Sequence, residues 1–252
     1  MNEIKNPITP DKFDAVLFDL DGVITDTARM HAACWKVMFN TYLKRRAETS
    51  GEQYIPFEIE TDYINYVDGK PRYDGVRDFL ASRNIVLDEG TPGSRATEES
   101  VCGLGNRKNE LVNLRIQMHG IKIFQSSVDF VEYIISSGIK TAIVSSSANC
   151  RSVLDAAGIS GLFPVVVDGV TAKERSLNGK PSPDMFIEAA KELNVEPGKA
   201  VVAEDAISGV QAGRNGNFGL VIGIARKDNS DELKENGADL VVSDLGEIVI
   251  NN

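Results

Sequence analysis

Residues Phe13 to Thr27 read FDAVLFDLDGVITDT, an apolar run (Ala15, Val16, Leu17, Phe18) that ends abruptly in carboxylates. Bounded by polar residues and a glycine, such a run predicts a buried strand. Residues two apart in an extended chain point the same way, so Asp19 and Asp21 share a face, and Gly22 lets the backbone turn sharply after them. Like charges that close repel strongly in a poorly solvated site unless one takes a proton or a cation sits between them. Mg2+ is the expected cation, because it prefers hard oxygen ligands, keeps several waters and often joins one or two carboxylates to a phosphate. On the DxD alone, a solvated Asp-rich turn remains open, since turns favour Asp.

The chain that follows changes character twice. Ala28 to Arg46 carries apolar side chains at helical spacing (Met30, Cys34, Val37, Met38, Leu43), and Asp62 to Val67, Tyr73 to Ser82 and Asn106 to His119 are further helix candidates, with no strong strand among them. Leu87 to Ser100, LDEGTPGSRATEES, reads as a loop. From Ile121 onward strands and helices alternate. Helices are predicted over Val128 to Ser136, Asn149 to Ala157, Pro183 to Leu193 and Ile207 to Arg214, and strands over Lys140 to Val144, Pro164 to Val167, Ala200 to Ala203, Leu220 to Ile224 and Leu240 to Val242. That alternation predicts an α/β fold, a doubly wound, Rossmann-like parallel sheet. The catalytic core is expected over 1–27 and 119–252, with 28–118 inserted after the first strand as an α-helical cap domain. Right-handed crossovers put the strand C-termini along one edge, where ligands bind such sheets. Asp19, Ser145, Asp168, Lys180 and the Glu204-Asp205 pair all fall at or just past predicted strand ends.

Each of these residues also has a plainer reading when taken alone. Ser145 opens SSSAN, where a hydroxyl and N–H groups at a helix start make an anion site, or an ordinary N-cap cluster. Lys180 in GKPSPD would usually be a solvated charge. Glu204-Asp205 after the apolar AVVA is costly unless something cationic sits there; an N-cap role accounts for Asp205 but poorly for Glu204. His31 and Trp35, four apart on one helix face, also suit packing, Lys108 in NRKNE also suits a solvated helix start, and His119 before Gly120 suits the helix dipole.

Charge and composition narrow the partners. Among 252 residues the net charge is −10, so the surface as a whole repels nucleic acid and anionic membranes. No apolar run approaches the ~20 residues of a membrane span, and the first residues hold no apolar core segment. The three cysteines, Cys34, Cys102 and Cys150, are scattered without metal-ligand spacing and read as buried free thiols. The expectation is a cytoplasmic protein, monomeric or weakly homo-oligomeric, with no nucleic-acid or membrane partner.

Together DLDGV (19–23), Ser145, Lys180 and Glu204-Asp205 resemble the four motifs of the haloacid dehalogenase superfamily, in order and over nearly the whole chain. DLDGVITDT, His31, Trp35, Arg72, Lys108, the SxSxN run and KPSPD look like its β-phosphoglucomutase-like phosphatases and mutases. The resemblance implies that Asp19 attacks phosphorus to form an aspartyl phosphate and that Asp21 is the acid/base. It implies Mg2+ on Asp19, Asp21 and Asp205 with Glu204 beside it, and Ser145 and Lys180 on the phosphoryl oxygens. It places His31, Trp35, Arg72, Lys108, Ser147 and Asn149 around a small phosphorylated sugar. A guanidinium at position 72 suits phosphate through two parallel bonds.

Ala148 stands where the mutases carry a lysine, and the cap is longer, through RRAETSGEQYIPFEIETDY and LDEGTPGSRATEES. The sequence therefore points first to an Mg2+-dependent sugar-phosphate phosphatase, and next to a β-phosphoglucomutase-type phosphomutase. Remoter readings are a receiver-type signalling module and a dehalogenase.

Overall fold

The computed structural model describes residues 4–226 and 229–249. Its central strand is β1 (Ala15–Phe18), with all four residues fully buried. A strand that is apolar on both faces must be covered on both, which is the condition inside a parallel sheet. Accordingly β1 pairs in parallel with β2 (Lys140–Val144) on one side and β4 (Ala200–Glu204) on the other. β3 (Val165–Val167) lies outside β2, and β5 (Leu220–Ile224) and β6 (Leu240–Val242) extend the other flank. The order is β3-β2-β1-β4-β5-β6, all parallel. A separate parallel pair joins Ile4–Lys5 to Ile248–Val249.

Helices cover the sheet. After α1 (Ala28–Ser50), α2 (Arg72–Ser82) and α3 (Val101–His119) come α4 (Gln125–Ser136), α5 (Cys150–Ala157), α6 (Gly169–Glu174), α7 (Asp184–Glu192), α8 (Ile207–Asn215) and α9 (Ser230–Glu235). The chain divides into a sheet unit, Met1–Asp26 with Ile121–Asn252, and a helical unit, Thr27–Gly120. In the sheet unit, Leu17, Val144 and Val202 pack with Met185, Phe186 and Val210 in one buried cluster.

The helical unit has its own core. α1 buries His31, Trp35, Met38 and Tyr42 on one stripe and Ala32, Phe39 and Leu43 beside it, the spacing that a helix with one covered face requires. Phe39 contacts Trp35, Phe57 and Phe79 at ring-centroid distances of 5.3, 4.9 and 4.2 Å. Such aromatic pairs add about 0.5–1.5 kcal/mol each beyond their area. The two polar stretches singled out in the sequence are held by side-chain-to-backbone bonds. Asn40 accepts from Phe57 N at 2.7 Å, Asn106 donates to the Pro92 and Ser94 carbonyls, and Arg107 donates to that of Ala96. Ser100 caps α3 by accepting from Gly103 N.

Most expected elements are present, with ends shifted by a few residues. α3 starts at Val101 rather than Asn106, and the Asp62 to Val67 candidate is a π turn, Ile59–Tyr63, running into Ile64–Tyr66. α6, α9 and the Ile4–Lys5 pairing were not predicted.

Candidate active site

Register assembles the site. Phe18 pairs with Ile143 on one side and Ala203 on the other. The next residues, Asp19, Val144 and Glu204, therefore end three adjacent strands. Lys180 reaches all three: its Nζ donates to Asp19 Oδ1 at 2.6 Å, to Glu204 Oε1 at 2.6 Å and to the Val144 carbonyl at 3.0 Å. Its side chain is fully buried. The second oxygen of Glu204 accepts from Ala206 N at 2.8 Å. Lys180 is thus a buried cation shared by two carboxylates, and the solvated-charge reading does not hold.

Burial dominates the titration of this group. It pushes Asp19 up to about 6, against the opposing pull of Lys180 and with the Asp21 charge adding to it. It pushes Glu204 up to about 7 in the same way, with Lys180 pulling back. Burial would lower Lys180, but Asp19 and Glu204 outweigh it and hold the ammonium well above its usual value.

Two glycines let the backbone close around these acids. Gly22, at φ +101°, faces Asp205 so closely that a Cβ there would lie 2.0 Å from Asp205 Oδ2. Gly209 on α8 does the same beside Glu204, with a Cβ only 1.8 Å from Oε1. The loop after β1 folds back on itself: Gly22 N donates to the Thr25 carbonyl, and Thr25 N to that of Leu20. Asp21 is half-buried within it, and Asp205 is buried.

On the neighbouring strand, Ser145 follows Val144, whose carbonyl Lys180 holds. Ser145 Oγ accepts from Ser147 N at 3.1 Å and Ser147 Oγ from Asn149 N at 3.2 Å, so the SSSAN hydroxyls brace their own turn. Asp168 does not join the cluster as a ligand. Its Oδ1 caps α6 by accepting from Val170 N and Thr171 N, and Arg151 Nε lies 3.3 Å from its other oxygen. Cys150, fully buried, is pushed up by burial and then by Asp21, Asp168 and Asp19, so it stays a thiol. All three cysteines are free and buried.

The remaining predicted residues belong to the helical unit. Lys108 is buried in α3 with Nζ 2.8 Å from His31 Nδ1 and 5.1 Å from the centre of the Trp35 ring. It is not a solvated helix start. Burial, then the Lys108 charge, holds His31 well below its usual range. The imidazole is therefore neutral, and with Nδ1 facing an ammonium its proton belongs on Nε2. Arg72, at the start of α2, lies beside Gly105 of α3 with its guanidinium 5.0 Å from the Tyr73 ring centre. Tyr73 donates to Asn106 Oδ1 at 2.9 Å. Sequence reasoning did not single out Tyr73 or Asn106, since neither gives a local signal of their pairing across the two helices.

A family model for haloacid dehalogenase-like hydrolases matches residues 13–217. The chain belongs to that family. Its relatives include a β-phosphoglucomutase from Mycobacterium bovis, 48% identical over 95% of this chain and 93% of that protein. A phosphorylated-carbohydrate phosphatase from Thermotoga maritima is 28% identical over 89% of this chain and 92% of its own. Among solved structures, β-phosphoglucomutase from Clostridium difficile superposes with a TM-score of 0.71 at 28% identity, covering 94% of each chain. The chain is thus an enzyme acting on phosphate esters, a phosphatase or phosphomutase, on the parallel-sheet core of its family. No helix among the described residues is long and apolar enough to cross a membrane.

Proposed function

We propose that this enzyme is a phosphomutase of the β-phosphoglucomutase type, interconverting β-glucose 1-phosphate and glucose 6-phosphate through an aspartyl phosphate. The observation that carries the phosphoryl-transfer reading is Lys180 buried between Asp19 and Glu204 at the strand ends. An ammonium there keeps Asp19 ionised as a nucleophile and lies where charge on a transferring phosphoryl group would need it. The strong likeness to the mycobacterial mutase supports the choice of reaction and substrate.

In the first half-reaction an Asp19 oxygen attacks one phosphorus of glucose 1,6-bisphosphate while its bond to the sugar oxygen breaks, Asp21 gives that oxygen a proton, and one glucose monophosphate leaves. In the second, a hydroxyl of the other glucose monophosphate loses its proton to Asp21 and attacks the aspartyl phosphate, which frees Asp19 and re-forms the bisphosphate. Ser145, braced at the end of β2, holds a phosphoryl oxygen, and Lys180, whose three N–H groups go to Asp19, Glu204 and the Val144 carbonyl, gives up the carbonyl to reach a second phosphoryl oxygen. Ser147 and Asn149 of the sheet unit also serve the substrate, and in the helical unit Arg72 is the residue for the second phosphate and His31, Trp35 and Lys108 are those for the sugar.

Mg2+ fits this donor set in one form. Among the described residues no three His, Cys, Asp or Glu side chains form a ready cage. Mg2+ needs only one or two carboxylates beside waters and phosphate. Asp19, Asp205 against the Gly22 backbone, and the Asp21 carbonyl supply them. Glu204 has both oxygens engaged by Lys180 and Ala206 N, so its part is to hold Lys180. When bound, the ion would neutralise charge on the phosphoryl group.

A second reading, hydrolysis of the same class of sugar phosphate, is favoured by Ala148, which leaves out a lysine contact. The two separate in one assay: β-glucose 1-phosphate with catalytic glucose 1,6-bisphosphate and Mg2+, following glucose 6-phosphate and inorganic phosphate together. Isomer without phosphate release supports the mutase. Stoichiometric phosphate release with no bisphosphate requirement replaces it with the phosphatase, and activity indifferent to EDTA removes Mg2+ from the scheme.

A further inference from the structure

Arg226 lies two residues past β5 and gathers three separated parts of the sheet unit. Its Nε donates to the Gly22 carbonyl at 3.0 Å. Nη1 donates to the Ser243 carbonyl at 3.2 Å and pairs with Asp244, and Nη2 donates to Ser127 Oγ at 3.3 Å. The guanidinium lies over the face of Phe124, its central carbon 3.7 Å from the ring centre. Phe124 in turn donates from its amide to the Ile24 carbonyl at 2.9 Å. The loop that carries Asp21 is therefore held from outside at two carbonyls, one by a main-chain amide and one by this arginine.

The Gly22 peptide is a sensitive place to hold. Gly22 sits in the positive-φ region with its open face against Asp205, and its carbonyl, in the peptide to Val23, is the one that Arg226 holds. A shift of Gly22 would change its gap to Asp205 and, through the planar peptide that joins it to Asp21, carry Asp21 with it. Asp244 neutralises the guanidinium, which leaves Arg226 free to act through hydrogen-bond geometry rather than by adding positive charge at the site. A planar fork with several donors suits this task, and a lysine cannot reproduce it.

We propose that Arg226 is a positioning residue for phosphoryl transfer, locking the Gly22 peptide so that Asp21 and Asp205 stand in reacting register. The inference rests on the reading of Asp19 and Asp21 as nucleophile and acid/base. The test compares Arg226→Ala, Arg226→Lys, Asp244→Ala and Asp19→Asn, using turnover of p-nitrophenyl phosphate, melting temperature and amide hydrogen exchange over residues 19–27.

Arg226→Ala should lower kcat about 100-fold, the order expected of a small misplacement of reacting groups, with KM within about threefold of wild type. Exchange of the 19–27 amides should quicken, and added methylguanidinium should restore at least about fivefold in rate, a gain that a purely structural arginine would not show. Asp244→Ala, which removes the anchor but keeps the donor to Gly22, should cost about fivefold or less. If the Ala variant does not fold, Arg226→Lys is judged by the same kcat and exchange criteria. A kcat within threefold of wild type, or a loss equal to that of Asp244→Ala with no chemical rescue, overturns the proposal. Failure of the underlying reading looks different, because Asp19→Asn would then stay active whatever Arg226 does.

Discussion

The two buried lysines among the described residues, one in each unit, are held in different ways. In the sheet unit Lys180 is wrapped in carboxylates, with Asp19 and Glu204 both at 2.6 Å and no exposed side-chain surface. In the helical unit Lys108 faces the neutral His31 ring and leans on Trp35, as Arg72 leans on Tyr73. A carboxylate cancels the charge it holds, whereas a ring face orients a cation and leaves its charge available. Among the described residues no carboxylate forms an ion pair with Arg72. The first arrangement suits the acid chemistry proposed for Asp19, and the second suits the phosphate contact proposed for Arg72.

The largest effect should come from the centre of the sheet unit. Asp19→Asn should reduce turnover by on the order of 10⁴-fold or more while the melting temperature changes little, since a missing nucleophile is not replaced by its neighbours. Measurable turnover near wild type would remove Asp19 from that role. Lys180→Ala should strike both activity and folding, because it strands two buried carboxylates. Breaking a buried pair this way costs about 3–5 kcal/mol, or roughly 10 °C in a unit of this size. An unchanged melting temperature would mean that water already screens the pair.

Arg72→Ala should do the reverse, leaving stability almost untouched while raising KM for a sugar phosphate about 10- to 100-fold, the worth of a charged hydrogen bond. A small aryl phosphate should barely notice; equal losses on both substrates would take Arg72 out of substrate selection.

The smallest effect concerns pH. In the folded protein Glu204 is raised to about 7 by burial, with Lys180 opposing, from an ordinary 4.5. A carboxyl whose folded value is raised binds its proton more tightly when folded, so its contribution to stability is present below about 4.5 and is lost as pH rises through about 7. Glu204→Gln cannot ionise and escapes that loss. In EDTA its melting temperature should therefore improve relative to wild type between pH 5 and 8, and a flat difference over that range would show that Glu204 is ionised throughout.

Much of this was legible in the chain itself. Long elements were readable because apolar spacing is a local property; α1 and β1 show it plainly. α6 and α9, six residues each, are too short for periodicity to register, and the π turn at Ile59–Tyr63 has no spacing of its own. Lys108 looked like a solvated charge because its neighbours Arg107 and Asn109 are polar. Its burial depends on Trp35 and His31, more than seventy residues earlier.

What the sequence determined by itself was a parallel α/β sheet whose strands end in acids and a hydroxyl, with a helical insertion after the first; Lys180, expected near a strand end, instead lies in the loop before α7. Strand length, apolar period and turn chemistry are written in neighbouring residues. Which of those ends stand side by side was decided only in three dimensions. The order β3-β2-β1-β4-β5-β6 puts Glu204 next to Asp19, and Arg226 reaches a carbonyl 204 residues away. Such pairings follow from how crossovers wind and pack, and a buried ammonium is tolerable only where the fold brings its counter-charges within bonding distance.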